Sequence, residues 1–288
     1  MQWAVVGGDR RETEAAGWLR RLGHEAVLLG RPAEAVSRAE DAFARADVIL
    51  GPVLGTNPAG DALYRAGPLG PVRVQAAWLA ACRPGALWLI GRSGPWLREA
   101  LAARGLRLQT YADRDEFATL NAVPTAEGAI ARAARLAGRT VWRSSALVVG
   151  GGRCGRALAM RLLALGATVA CAARDPAERA TLQGMGVAAA ELEALPDLAR
   201  GRDFLFNTVP ARVVGGSVLA ALPDHAVVVD LASAPGGTDF EAARRLGLRA
   251  RLLPGLPGRL YPATAGRILA EVAAALAARS GGNGYGAL

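Results

Sequence analysis

The sequence predicts an α/β protein of two doubly wound parallel-sheet domains, with a C-terminal helix that packs back on the first. Three observations carry this. Short apolar runs alternate with helical stretches along the chain, a pattern that builds parallel sheets through right-handed crossovers. The 288 residues suffice for two domains of about 100–200 residues each. A glycine-rich turn at Gly150–Gly155 joins an apolar run to a helical one near the middle of the chain.

Taken in order, Trp3 to Val6 reads as a strand, Glu12 to Leu22 as a helix and Ala26 to Leu29 as a second strand. Asp47 to Leu50, Ala86 to Ile90 and Leu106 to Thr110 continue the strands, with a helix over Trp96 to Arg104. Pro124 to Ala137 reads as a helix joining the halves: Pro124 suits a first helical turn, Glu127 complements the positive dipole end, and Gly138 stops it. The second half gives strands over Ala146 to Val149, Thr168 to Ala172, Phe204 to Thr208, Val227 to Leu231 and Arg249 to Leu253, and a helix over Arg156 to Leu165. Pro254 to Gly258 reads as a rigid loop, Thr264 to Arg279 as a final helix, and the glycine-rich tail as disordered. The expected domains are therefore residues 1–120, an α/β substrate domain; 121–262, a Rossmann domain with its linking helix; 263–279, the return helix; and 280–288, a flexible tail.

Composition removes several classes of function. The net charge of +9 comes from 34 basic residues, every one of them arginine. They are scattered, with no basic block or interleaved aromatic platform, so a nucleic-acid partner is not expected. Without lysine there is no phosphate loop ending in Lys, no Schiff base and no lysine acid or base. Cys82, Cys154 and Cys171 lack metal-ligand spacing, and the histidines are His24 and His225 alone, so neither a metal site nor a disulfide framework is expected. No apolar run of about 18 residues predicts a membrane span. The N-terminus lacks a signal-peptide core, which predicts a cytoplasmic protein.

Gly150-Gly151-Gly152-Arg153-Cys154-Gly155 is a G-x-G-x-x-G placed between a strand and a helix, the setting in which such a loop binds a dinucleotide. Gly150 permits the tight turn, Gly152 lets backbone approach a pyrophosphate, and Gly155 lets helix and strand pack closely. Free N–H groups at the helix start then meet the phosphates. NAD-specific folds usually carry an acidic residue about 20 residues on, at the end of the second strand. Here that strand ends Cys171-Ala172-Ala173-Arg174. Arg174, assisted by Arg153, suits the extra 2′-phosphate of NADP, while Asp175-Pro176 reads as a helix cap. Cys154 reads as a small residue in a crowded loop. Asn207, Thr208, Val209 and Pro210, with Ser233, end the next strands, where this fold places the nicotinamide; turn capping accounts for the polar ones equally well.

In the first half Gly7-Gly8-Asp9-Arg10-Arg11 is a similar junction without the third glycine, so a second dinucleotide site is not expected. Its helix start, with Arg10 or Arg11, suits a substrate carboxylate, as do Arg92 and Ser93; an ordinary surface charge is the rival reading for any single arginine. His24, at a helix end, and His225, ahead of its strand, leave no histidine base in view.

Together these motifs resemble the dipicolinate synthase A-subunit family over nearly the whole chain. The resemblance rests on Val5-Val6-Gly7-Gly8-Asp9-Arg10, Asn121 to Gly128, the Gly150–Gly155 loop, Ala172-Ala173-Arg174, Asp230 to Phe240, Pro254 to Gly258 and Thr264 to Leu269. The run Asp-Leu-Ala-Ser-Ala-Pro-Gly-Gly-Thr-Asp-Phe is the most specific of them. The resemblance implies oxidation of a dihydrodipicolinate-type precursor to dipicolinate, with NADP accepting hydride, in spore-forming bacteria. It also implies a partner, the flavoprotein-like B-subunit of dipicolinate synthase; self-association is left open. A small dicarboxylate substrate would give the arginines a role. The candidate proton acceptors are Glu127 or a water held by Thr125, although helix capping explains both residues equally well. A non-catalytic NADP-binding sensor and another NADP-dependent dehydrogenase of a small carboxylate are the rival readings. Relatives of alanine or shikimate dehydrogenases rely on a lysine that this chain lacks.

Overall fold

The computed structural model describes residues 1–29, 35–66 and 70–281, so the tail lies almost wholly outside the described residues. The chain forms two compact units, Met1–Asn121 with Pro257–Leu288, and Ala122–Leu256.

In the first unit β1 (Gln2–Val6), α1 (Arg10–Arg21), β2 (Glu25–Leu29), α2 (Ala35–Arg45) and β3 (Val48–Leu50) lead to a small antiparallel pair, β4 (Ala62–Leu63) and β5 (Val72–Arg73). Then come α3 (Ala76–Ala81), β6 (Leu87–Ile90), α4 (Pro95–Ala102) and β7 (Arg107–Thr110). The main sheet is parallel in the order β2-β1-β3-β6-β7, so its direction of winding reverses between β1 and β3. Strand residues alternate between its two faces. Trp3, Val5, Leu87 and Leu89 join the core under α1, while Ala4, Val6, Trp88 and Ile90 join the core on the other face. Burial on both faces explains why these strands read as unbroken apolar runs.

The long helix α5 (Asp115–Ala137) follows, and here the structure corrects the sequence reading. Pro124 lies well inside the helix, whose first turn carries Asp115 and Glu116. Proline removes one helical hydrogen bond, but the buried face formed by Ala122, Ala126, Ala129 and Ala133 carries the helix through it. Glu127 is consequently mid-helix and complements no dipole end.

The second unit continues with β8 (Ser145–Val149), α6 (Arg153–Ala164), β9 (Thr168–Ala172), α7 (Pro176–Gly184), β10 (Ala188–Ala190), α8 (Leu195–Ala199), β11 (Phe204–Asn207), α9 (Gly216–Ala220), β12 (Val227–Asp230), α10 (Phe240–Arg245) and β13 (Arg249–Leu252). Its parallel sheet has the order β10-β9-β8-β11-β12-β13, the 3-2-1-4-5-6 arrangement of dinucleotide-binding Rossmann folds. The rigid loop expected at Pro254–Gly258 is partly helical, as α11 (Leu256–Leu260). The last helix, α12 (Pro262–Gly281), packs on α1 in the first unit. Gly266 makes the approach possible: a methyl there would lie 2.4 Å from Glu14 Cβ and 2.7 Å from the Arg11 carbonyl oxygen. No helix among the described residues is long and apolar enough to cross a membrane.

Candidate dinucleotide site and its surroundings

In an open α/β sheet, ligands gather beyond the carboxyl ends of the strands where the winding reverses. In the second unit that point lies between β8 and β11, and the glycine loop occupies it. Gly150 adopts φ +105° and a methyl on it would meet Thr208 Oγ1 at 2.3 Å. Its N–H donates to Ala172 O at 2.8 Å. A methyl on Gly155 would sit 1.9 Å from Gly150 O, so helix and loop close on each other only because that position has no side chain. Helix α6 begins at Arg153, ahead of the Arg156 that its apolar period suggested, with Gly152 as N-cap. Neither the cap nor the first turn supplies a side-chain acceptor or an acidic residue. The α6 amides therefore face the loop without an anion from the cap or first turn, which is the condition for binding one. Burial pushes the Cys154 thiol up, so it is an inert small residue.

The rim beside this loop is tied from below. Asp230, at the end of β12, is fully buried. It accepts from Ala232 N at 2.9 Å, Gly237 N at 2.8 Å and Asn207 Nδ2 at 3.0 Å. Asn207 also donates to Val209 O at 3.0 Å and accepts from Val209 N at 3.1 Å. This corrects the expectation for Asn207: with 0% exposure and both ends of its amide engaged, it shapes the rim and does not face a ligand. Thr208 Oγ1 donates to Val149 O at 2.9 Å, locking β11 to β8 beside Gly150. Val209 borders Gly150, whereas Pro210 and Ser233 are exposed beyond it. Arg174 stands exposed at the end of β9, where Arg179 holds the backbone by donating to Ala173 O and Arg174 O.

The corresponding junction of the first unit is closed by its own carboxylates. Asp9 caps α1 by accepting from Arg11 N at 2.9 Å, and Glu12 reaches back to Asp9 N at 2.7 Å, a complete capping box. The second Glu12 oxygen accepts from Val53 N at 2.9 Å. Burial pushes the Glu12 carboxyl up to about 7. Arg11 is 3% exposed and grips Asp9 with two nitrogens. It cannot greet a substrate carboxylate, which corrects that expectation; Arg10 at the helix start is exposed.

Two family models match the chain. Residues 2–112 match the N-terminal domain of the dipicolinate synthase A-subunit, and residues 118–236 match the D-isomer-specific 2-hydroxyacid dehydrogenase NAD-binding domain. The dipicolinate synthase A-subunit of Bacillus subtilis (strain 168) is 32% identical over 283 residues, covering 96% of this chain and 95% of that one. The chain belongs to the dipicolinate synthase A-subunit family. Solved structures bearing that name agree. The Bacillus halodurans protein is 32% identical, with a TM-score of 0.80 over 96% of this chain and 97% of that chain. The Bacillus subtilis protein is 30% identical, with a TM-score of 0.80 over 97% and 96%. The resemblance read from the motifs and the two-sheet fold are both borne out, and the match of the second unit makes its cofactor a nicotinamide dinucleotide.

Arg92 is ion-paired with Asp113 at 2.7 Å on the surface. Ser93 is 8% exposed and donates to Gly94 O at 3.1 Å, so its hydroxyl is already engaged. On α5, Glu127 is exposed and paired with Arg161 at 3.2 Å, while Thr125 is half-buried. Sequence reasoning missed Asp230 and Glu178. Asp230 was legible in principle, because an acidic residue closing an otherwise apolar strand (Val227-Val228-Val229-Asp230) needs several donors to be buried. Glu178 had no signal of its own beyond its place in the first turn of α7.

Proposed function

We propose that this protein oxidises a dihydrodipicolinate-type precursor to dipicolinate with NADP, in spore formation, acting with a flavoprotein-like second subunit. The observation that carries the reading is the uncapped start of α6 beside Gly150–Gly155, at the winding reversal of a 3-2-1-4-5-6 sheet, in a chain of the dipicolinate synthase A-subunit family. The loop fits a dinucleotide: the helix start has no acceptor from its own cap, and Gly155 tolerates no added atom. In this reading the α6 amides hold the pyrophosphate, and Arg153 and Arg174 favour the additional phosphate of NADP. Thr208, Val209, Pro210 and Ser233 border the nicotinamide.

When bound, the dinucleotide accepts hydride from the substrate ring. The substrate gives up a proton as well, and formation of an aromatic pyridine drives both losses, so a strong dedicated base is unnecessary. Glu127 is paired with Arg161, and in this reading a water beside Thr125 takes the proton. Arg10 takes a substrate carboxylate at the first turn of α1, with Arg92 exchanging Asp113 for the other.

The test is turnover. The protein, alone and with the second subunit, is given the precursor and NADP; reduced NADP and an ultraviolet-absorbing pyridine dicarboxylate should rise together. Tight NADP binding without that product under either condition would refute catalysis and favour a sensor.

A further inference from the structure

The carboxylate of Glu178 leans on the glycine loop. A methyl on Gly151 would lie 2.7 Å from Glu178 Cβ and 2.9 Å from its Oε2, and one on Gly152 would lie 3.6 Å from its Oε1. Both oxygens are thus turned to the segment that precedes α6. The same methyl on Gly151 would meet Ala173 Cβ at 3.0 Å, so carboxylate, loop and the end of β9 converge on one spot.

This is not where a glutamate in that position ordinarily goes. Glu178 is the third residue of α7, whose N-cap, Asp175, accepts from Ala177 N at 2.8 Å. A glutamate at that place commonly bonds back to the N-cap amide, as Glu12 does in α1, but α7 has no such bond. Its sequence neighbour Arg179 is engaged by Glu191 at 2.8 Å and by two carbonyls. Among the described residues the Glu178 carboxylate has no hydrogen bond or ion pair. It is a charge held against the loop with its acceptors open.

The spot matters because, in this fold, the end of the second strand and the glycine loop flank the adenosine ribose. We propose that Glu178 is a specificity-determining residue that opposes Arg174. Its carboxylate accepts from a ribose hydroxyl, which NAD offers at the 2′ position, and repels a phosphate there. Cofactor preference is then a difference between two charges, a guanidinium at the end of β9 that favours the extra phosphate and a carboxylate on the loop that disfavours it. Specificity of this kind rests on a repulsive element as much as an attractive one. The inference depends on a dinucleotide binding at this loop, but not on which one the protein prefers.

The experiment measures Kd for NAD and for NADP on the full chain, for wild type, Glu178→Gln, Glu178→Asp and Glu178→Ala, with a thermal midpoint for each. Removing one charge where water screens the pair should change affinity by about 5- to 10-fold. In Glu178→Gln, NADP should tighten by about that factor and NAD should weaken, so the NADP preference rises by about 10-fold or more. Glu178→Ala, which removes the charge with different packing, should move the ratio the same way, and Glu178→Asp should leave it near wild type. An unchanged ratio in the Gln and Ala variants, or a shift toward NAD, overturns the proposal. A wild type that prefers NAD defeats the NADP reading alone, and the proposal stands if Glu178→Gln still moves the ratio toward NADP. Binding of neither nucleotide overturns both.

Discussion

Asp230 offers the sharpest test of how the rim of the second unit is held. Its two carboxylate oxygens accept from three donors: Ala232 N at Oδ1, and Gly237 N and Asn207 Nδ2 at Oδ2. All three lie at or beyond strand ends, and the carboxylate has 0% exposure. Replacing it with Asn converts one oxygen into a donor. If the new amide nitrogen takes the Oδ1 place, Ala232 N alone loses its acceptor; if it takes the Oδ2 place, two donors lose theirs. The side chain will choose the first arrangement. One orphaned buried donor costs about 1–3 kcal/mol, so Asp230→Asn should destabilise the second unit by that much. Asp230→Ala orphans all three, and because loop movement lets water reach some of them, the loss should be about 3–5 kcal/mol.

Urea denaturation followed by far-ultraviolet ellipticity reads the energy. Since two compact units need not unfold together, amide hydrogen exchange at Ala232 and Gly237 reads the same event locally. Both amides should be protected in the wild type and should lose protection in Asp230→Ala well before the strands do. The variant also frees Asn207, whose amide otherwise bridges Asp230 and Val209, so the segment beside Gly150 loosens and dinucleotide affinity falls. If Asp230→Ala stays within about 1 kcal/mol of the wild type and Ala232 and Gly237 remain protected, the network is not what holds the rim.

Three further outcomes are expected. Arg174→Ala should weaken NADP by about 10- to 150-fold, the value of a charged contact to phosphate of roughly 1.5–3 kcal/mol, and leave NAD nearly unchanged in the same titration; equal losses would remove Arg174 from the role. Gly155→Ala places a methyl 1.9 Å from Gly150 O, so it should cost about 1–3 kcal/mol in thermal unfolding and abolish dinucleotide binding by calorimetry, whereas retained affinity would mean the loop can shift. Asp203 is held at about 2 although burial alone would raise it, because Ser145, His225 and Arg139 donate to it. A carboxyl depressed in the folded state stabilises above its ordinary range near 3.8 and loses that as pH falls toward about 2. For a partly exposed group this is about 1–2 kcal/mol, and Asp203→Asn should flatten that limb of the acid-denaturation curve.

Most of the fold could be read directly because its signal was apolar periodicity. Strands such as Val227-Val228-Val229 and Leu147-Val148-Val149 are buried on both faces, and nothing but a central strand explains such short runs between turns. Starts and ends were harder where local chemistry yields to packing. Pro124 looked like a helix start by its own preference, yet the alanine face of α5 outweighs the single bond it removes. The short helix at Leu256–Leu260 was hidden by two prolines and two glycines within Pro254–Gly258. For the site, glycine spacing located the loop, because the need for space at Gly155 is written in the residue type itself. What residue type does not reveal is whether a polar side chain is already engaged. Asn207, Ser93 and Arg11 had suitable chemistry, and each is committed to a partner within the chain.

The two strand-turn-helix junctions show how little sequence separates a closed turn from a receptive one. Both follow the first strand of a parallel sheet, lie at its winding reversal, and begin with a glycine at positive φ, Gly7 at 70° and Gly150 at 105°. At α1 the positive end of the helix is answered internally: Asp9 and Glu12 take the amides, and a methyl on Gly8 would collide with Glu12 Cδ at 2.2 Å. An external phosphate there would have to displace two carboxylates whose hydrogen bonds also hold Val53 and Arg11. At α6 the residues in those places are Gly152 and Gly155, which have no side-chain acceptors, and Arg153 supplies charge of the opposite sign at the first helical position. The helix dipole and the orphan amides are common to both. Whether the helix start is answered from within is decided by two acidic side chains, present at the cap and first turn of α1 and absent from those of α6, and this is why the second of two similar turns is open at its cap.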